Sequence, residues 1–135
     1  MSELSPELQA FLRDCISSYE ELEALLLLAR SSDRSWSAAE LAGELKVPED
    51  GVAMATERLA AIDGLLGLEQ QAAVLRFRYT PNRDSLRQVV AELEEAYRDQ
   101  RLRIVQLMSA NALERVRGAA ARRLAEGFRI DRWKR

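Results

Sequence analysis

The stretch from residue 36 to residue 66, WSAAELAGELKVPEDGVAMATERLAAIDGLL, decides the fold. Ser37 and Glu40 stand three residues apart, which is the spacing of a capping box, in which each residue satisfies a free N–H at a helix start. We therefore predict a short helix over residues 38 to about 45. Pro48 follows closely and cannot continue that helix, so a tight turn is expected there.

A second, longer helix is expected directly after this turn. Glu49 and Asp50 favour its N-terminus, because carboxylates stabilise the positive end of the helix dipole. Gly64 readily takes the left-handed conformation that closes a helix, so the helix should end near it. Apolar residues recur at helical spacing and give an inward face: Val52, Ala55, Leu59 and Ile62. A short helix, a tight turn and a longer helix make a helix-turn-helix unit.

The apolar period changes after this unit. Residues 65–69 and 73–79 are two short apolar-rich runs, and the second alternates Leu75, Phe77 and Tyr79 with Val74, Arg76 and Arg78. Alternation of this kind predicts a half-buried strand. The polar pair Gln70 and Gln71 is the expected hairpin tip, and Trp36 is placed to supply a third small strand. A hairpin directly after the second helix is the wing of a winged helix-turn-helix domain.

Several segments resemble bacterial winged-helix regulators of the MarR-like type: WSAAELA at residues 36–42, VPE at 47–49 and LAAIDGLL at 59–66. The segment FRYTP at residues 77–81, followed by a long helix, is similar to a group of small proteobacterial winged-helix proteins, many of unassigned function. The resemblance covers about residues 18–110. It implies the winged-helix fold and a role in transcription regulation, although winged helices also serve as protein-binding modules.

Helix starts outside this unit complete the fold prediction. Ser5 before Pro6 begins a first helix, and Ser18 with Glu21 begins a second that runs to about residue 30. We predict a mainly α fold with a small β-hairpin. Residues 1–80 should form the winged helix-turn-helix domain with its N-terminal helix. Residues 81–135 should form a C-terminal helical extension, with a long helix over 85–109 and a basic helix and tail over 112–135.

The long helix carries a seam whose steps alternate four and three residues. The seam residues are Leu86, Val90, Leu93, Tyr97, Gln100, Ile104 and Leu107. A heptad seam with polar positions is typical of a dimerisation helix, in which a polar residue fixes register and partner number. We therefore expect a homodimer. The alternative is a helix that packs on its own domain, since an amphipathic helix needs only one apolar face to bury.

The chain is acidic at the start and basic at the end. Residues 115–135 hold eight basic and two acidic residues, a net charge of +6, which leaves −8 for residues 1–114. Such a split predicts that the tail meets nucleic acid, an acidic or signalling protein partner, or the acidic body itself. Phe128, Ile130 and Trp133 alternate with arginines there, and we interpret them as a partner-binding tail.

Composition argues against several function classes. The chain has no histidine and a single Cys15, so the commonest general base and the commonest zinc ligands are missing. The six glycines never take a phosphate-loop or dinucleotide-binding spacing. We therefore predict no catalytic residue, no metal and no cofactor, and expect a protein that is not an enzyme. Neither a membrane-length apolar run nor a signal peptide is present, so a cytoplasmic protein without membrane partners is expected.

Double-stranded DNA is the expected partner of a winged helix, which lays its second helix in the major groove. The candidate contacts are Arg58, Thr56, Arg76, Arg78, Arg83 and Lys46. The second helix opposes this prediction, because Glu49, Asp50 and Glu57 lie outside its inward face and repel phosphates. A solvated strand face is the plainer explanation of Arg76 and Arg78. Two hypotheses follow: a DNA-binding transcriptional regulator, or a winged-helix protein-interaction module that does not bind DNA.

Overall fold

The computed structural model describes the backbone of residues 3–133 and the side chains of residues 3–122. Six helices and one three-stranded antiparallel sheet make up the described chain. In chain order they are α1 (Pro6–Cys15), α2 (Tyr19–Arg30), β1 (Trp36–Ser37), α3 (Ala38–Leu45), α4 (Glu49–Ala60), β2 (Leu66–Gln71), β3 (Val74–Tyr79), α5 (Asp84–Asp99) and α6 (Arg101–Trp133). The predicted winged helix-turn-helix architecture is confirmed.

Three serines begin the first three helices, as the sequence predicts. The hydroxyls of Ser5, Ser18 and Ser37 each accept the backbone N–H three residues on, at 3.1, 3.2 and 3.1 Å. At Ser37 the capping box is complete, because the Glu40 carboxylate accepts the Ser37 N–H at 3.0 Å. Each such cap stabilises its helix by about 1 kcal/mol. Local side-chain hydrogen bonds therefore set where the helix-turn-helix unit begins.

The core is centred on α2, which packs against α3, α4, α5 and β3. Leu22, Leu25, Leu26 and Leu28 point to different sides of this helix, and all four are buried. A helix that is apolar around most of its circumference must be covered on all those sides. The first and the last elements of the fold therefore share one core with the helix-turn-helix unit. No helix within residues 3–133 is long and apolar enough to cross a membrane.

The wing is a hairpin in which β3 pairs with both β2 and β1. Trp36 stands opposite Phe77, so the predicted third strand is confirmed. The predicted hairpin tip is wrong, because Gln70 and Gln71 pair with β3 and the turn lies two residues further on. The two turn residues are Ala72 and Ala73, with φ of 49° and 66°. Positive φ at both positions suits the twist of a two-residue hairpin, but it is a strained conformation for alanine.

The C-terminal half differs from the prediction. A single helix over residues 85–109 is wrong, because the chain breaks at Gln100, where φ is −135° and ψ is 46°. The Gln100 carbonyl accepts the N–H groups of Arg103 and Ile104, which starts α6 in a new direction. The predicted break near residues 109–111 is also wrong, since α6 is continuous from Arg101 to Trp133. The turn at Gln100 lets Ile104 reach the core beside Leu93, and both are fully buried.

The predicted dimerisation seam is occupied within the chain, so its assignment to a dimer interface is corrected. Four of its residues are buried in the core: Leu86, Val90, Leu93 and Ile104. The other three, Tyr97, Gln100 and Leu107, are half-buried, and Tyr97 donates its hydroxyl to the Glu23 carboxylate at 3.1 Å. The seam packs on its own domain, because α5 lies against α1 and α2 and the break at Gln100 folds α6 back against α1 and α5.

The hairpin turn makes the first prediction. Replacing Ala72 by Asn and Ala73 by Gly supplies residues that tolerate positive φ, so the free energy of unfolding should rise by about 1–2 kcal/mol. Chemical denaturation of the purified chain measures this change. The matched double substitution Ala72→Val/Ala73→Val should lower stability, because β-branched residues resist the left-handed region. Equal stability of the three proteins would contradict the assigned turn.

Candidate nucleic-acid interface

The outer face of α4 is the surface that the helix-turn-helix unit presents. Its inner face is buried against α2 and α3 through Val52, Ala55 and Leu59. The opposite face carries exposed residues only, and no described element covers it: Glu49, Asp50, Ala53, Met54, Glu57 and Arg58. α4 is therefore free to meet a large partner along its length.

Thr56 does not belong to this face, which corrects its prediction as a DNA contact. Its side chain is only 1% exposed, and its hydroxyl donates to the carbonyl of Ala53 at 3.0 Å. The sequence does contain the signal, because Thr56 lies four residues after Val52 and three before Leu59, on the buried stripe. A β-branched side chain with a locally bonded hydroxyl fits there at little cost.

Arg76 is an internal residue, which corrects its prediction as a solvent-facing wing contact. Its side chain is 18% exposed. The guanidinium donates to the hydroxyl and the carbonyl of Ser35, both at 3.0 Å, and to the Glu40 carboxylate at 2.6 Å. Glu40 is also held by the Ser37 N–H, so one cluster joins β3, β1 and the start of α3. The positive charge of Arg76 is neutralised inside the fold.

Glu40 is stabilised in its charged form by this cluster. The Ser37 N–H makes the largest contribution, and the Arg76 and Arg34 guanidinium groups add to it, so the pKa of Glu40 lies below its ordinary value. Arg34 lies 3.1 Å from the carboxylate and stacks over the Trp36 ring at 3.8 Å from its centroid. At the start of α3 the Glu40 carboxylate is therefore engaged by groups of the fold itself.

Arg78 and Arg83 are partly engaged. Arg78 donates to the Asp33 carbonyl at 3.3 Å and lies 3.5 Å from the Glu69 carboxylate across the hairpin. Arg83 precedes α5 and donates to the Asp63 carbonyl at 3.0 Å. Both partner contacts are at the surface, so these guanidinium groups keep donors that face solvent.

Lys46 and Arg58 flank α4 at its two ends. Lys46 caps α3 with a φ of 59° and is exposed in the turn that leads into α4. Arg58 donates to the Ser17 hydroxyl at 3.0 Å and lies 3.7 Å from the carboxylate of Glu21, which is buried. Ser17 donates to the same carboxylate at 2.6 Å. Arg58 therefore compensates a buried charge and ties α4 to the junction of α1 and α2, a role that the sequence did not reveal.

An apolar cleft between α4 and the wing was not predicted. We call it the α4–wing cleft; it has a volume of about 520 Å³, and its principal lining residues are Glu49, Ala53, Met54, Glu57, Val74 and Leu75. Met54 is 56% exposed, and Val74 and Leu75 are each 46% exposed. The strand pattern predicted Leu75 as an inward residue, but it lies near the hairpin tip, beyond the core that covers Phe77. The two adjacent apolar residues at the start of β3 were the available signal.

The chemistry of this surface is acidic and apolar. Three carboxylates and one guanidinium stand on the outer face of α4. Carboxylates repel phosphates, although a glutamate or aspartate in the major groove accepts the amino group of cytosine. Among the described residues, no group of three or more histidine, cysteine, aspartate or glutamate side chains is placed to hold a metal ion. The predicted partner-binding residues Phe128, Ile130 and Trp133 lie outside the described side chains.

Comparisons find solved structures that are distantly similar. No protein-family model and no curated protein sequence matches the chain. HlyU from Vibrio cholerae is 19% identical over 68% of this chain and 91% of its own, with a TM-score of 0.49. NolR from Sinorhizobium fredii is 19% identical over 72% and 97%, with a TM-score of 0.49. The adhesin competence repressor AdcR from Streptococcus pyogenes is 19% identical over 87% of both chains, with a TM-score of 0.48.

The Glu40 cluster makes a prediction about acid stability. Because the pKa of Glu40 is lowered by folding, its stabilising contribution is complete above the ordinary value of 4.5 and is lost as the pH falls through the lowered value. Glu40→Gln should therefore lower the free energy of unfolding at neutral pH, and the difference from the parent should shrink in acid. Urea denaturation across this pH range measures it. The control Glu57→Gln, on the exposed face of α4, should leave the free energy of unfolding at neutral pH within about 0.5 kcal/mol of the parent.

Proposed function

We propose that this chain is a non-catalytic, homodimeric transcriptional regulator of winged-helix type that binds duplex DNA. The observation that carries the proposal is the uncovered outer face of α4, which stands beside the wing in a helix-turn-helix unit. An exposed second helix of this kind fits the major groove, with the wing against the backbone. Its length of 12 residues is sufficient to cross the groove.

Phosphate contacts are assigned to four cations at the edge of this face. Lys46 precedes α4, Arg58 lies in its last turn, Arg78 is on β3 and Arg83 follows the wing. These groups supply the attraction that does not depend on sequence, while Glu57 and Asp50 accept cytosine amino groups in the major groove. Thr56 and Arg76 have no part in this proposal. The carboxylates keep general affinity low and leave the perimeter cations to determine it.

The dimer surface is assigned to α6 instead of the buried seam. Leu102, Leu113 and Val116 are each half or more exposed. Steps of 11 and 3 residues place them on one stripe of the helix. An exposed apolar stripe on a long helix is stabilised when a second copy covers it.

A protein-interaction module remains the second candidate, because of the apolar residues of the α4–wing cleft. The exposed apolar side chains there suit contact with a protein better than contact with a phosphate backbone: Met54, Val74 and Leu75. A module of this kind would use the same face of α4 without binding duplex DNA at any salt concentration. The two candidates therefore differ in a single binding measurement.

DNA binding is tested by fluorescence anisotropy of a labelled random duplex at low salt. Four phosphate contacts per protomer are eight per dimer, which predicts a slope of about −7 in log K against log salt. Lys46→Asn with Arg83→Gln removes two contacts from each protomer, so it should weaken binding and reduce the size of that slope by about 4. The control Arg13→Gln with Arg98→Gln makes the same charge change on α1 and α5 and should leave the slope unchanged. No duplex binding by the parent chain would reject the proposal.

Dimerisation is tested by sedimentation velocity. Leu113→Glu with Val116→Glu places charges on the α6 stripe, so the dissociation constant of the dimer should rise at least tenfold. Ala121→Glu adds a carboxylate on another side of α6 and serves as the control. If the double substitution leaves the dimer intact while circular dichroism shows an intact fold, the α6 stripe is not the interface.

A further inference from the structure

We infer that the α4–wing cleft of one copy receives the basic, aromatic C-terminal segment of a second copy, residues 128–135, with the sequence FRIDRWKR. The cleft and the segment are complementary in charge, and both carry large apolar side chains. Docking of this kind is a contact between copies that differs from the α6 stripe. It does not depend on DNA binding.

The α4–wing cleft exposes apolar side chains that no described element covers. Met54 on α4 faces the same concave space as Val74 and Leu75 on the wing, and each leaves about half of its surface exposed. Apolar side chains gathered in a concavity mark a binding site more strongly than the same residues scattered over a convex surface. The segment brings three large apolar side chains of matching type: Phe128, Ile130 and Trp133.

Charge selects this segment over a neutral partner. Glu49 and Glu57 line the cleft, and neither lysine nor arginine lines it among the described residues. Arg76, the nearest cation on β3, is committed to Glu40. The segment carries four cations and one carboxylate, a net charge of +3. Opposite charges at the edge of an apolar contact fix its orientation and suppress wrong partners.

A second acidic groove, between α1 and α5, fits the segment less well. Glu7 and Asp14 stand on its rim with Glu92, which already accepts the N–H and hydroxyl of Ser5. Three apolar side chains of that groove belong to the buried core: Phe11, Leu86 and Val89. Both grooves attract cations, and the α4–wing cleft differs by its three half-exposed apolar side chains, Met54, Val74 and Leu75.

The occupant belongs to a second copy because α6 carries the segment away from its own body. Met108 is the last buried residue among the described side chains, and residues 109–122 are exposed or half-exposed. A continuous helix from Met108 to Trp133 spans about 38 Å. A folded body of about 100 residues has a radius of gyration of about 13 Å. The exposed helix therefore carries its end about 38 Å from Met108, which favours a cleft on a second copy.

Docking of the C-terminal segment would compete with other partners for the outer face of α4. The segment would cover Met54 and Glu57 on the face that we assign to DNA, so docking and DNA binding would exclude each other. That consequence rests on the proposed function. The docking itself is tested without DNA, so its failure is distinguishable from failure of the proposed function.

Photo-crosslinking of the full chain tests the proposal. Phe128 is replaced by p-benzoylphenylalanine, and equal amounts of isotopically light and heavy chains are mixed, irradiated, digested and analysed by mass spectrometry. We expect light–heavy crosslinks to the peptides that contain Met54 or Val74 and Leu75. Crosslinks confined to one chain, crosslinks to the α1–α5 groove, or no crosslinks would each overturn the proposal.

Charge and apolar variants of the same crosslinking chain make the test specific. Glu49→Lys with Glu57→Lys, and separately Leu75→Ser with Val74→Ser, should each lower the crosslink yield at least fivefold. The control Glu7→Lys with Glu95→Lys makes the same charge change on exposed carboxylates of α1 and α5 and should leave the yield unchanged. If the control lowers the yield equally, the attraction is general and the cleft is not the site. Circular dichroism confirms that each variant is folded.

Discussion

The ion pair between Arg76 and Glu40 is the interaction on which the arrangement of the wing depends. Arg76 lies on the central strand of the sheet, and its guanidinium reaches both Ser35 before β1 and the carboxylate that caps α3. The 2.6 Å hydrogen bond joins a mostly buried guanidinium to an exposed carboxylate, and it is charge-assisted and directional. It ties the wing to the first helix of the helix-turn-helix unit.

A second buried charge holds α4 from the other side. Glu21 is buried in the first turn of α2, where its carboxylate accepts from Ser17 and lies 3.7 Å from the Arg58 guanidinium. Removing one partner of such a group is costly, because it leaves a charge without compensation in the interior. Together the two clusters neutralise Arg76 and partly engage Arg58, whose side chain stays 54% exposed. The fold thus gains internal order at the expense of positive potential on its presented face.

This use of cations explains why the fold and the surface chemistry indicate different partners. The backbone architecture leaves α4 exposed as the second helix of a helix-turn-helix unit, whereas the side chains on it offer carboxylates and a methionine. In our proposals, affinity for DNA depends on the cations at the edge of the α4 face. Affinity for the basic C-terminal segment depends on the carboxylates and apolar side chains of the α4–wing cleft. One surface can serve both partners only by exchanging them, which is a simple basis for regulation.

The sequence by itself determined the helix starts, the order of elements and the presence of the wing. Ser5, Ser18 and Ser37 act through hydrogen bonds within three residues, and the alternation along β3 is equally local, so these features were readable from the chain. Only the tertiary structure decided the break at Gln100, the turn at Ala72 and Ala73, and the internal commitment of Arg76. Each of these depends on partners distant in sequence: α5 and α6 bend to cover the core, strand pairing sets the register of the turn, and Glu40 lies 36 residues from Arg76. Local rules specify the elements, but burial and charge pairing between them select which side chains remain for function.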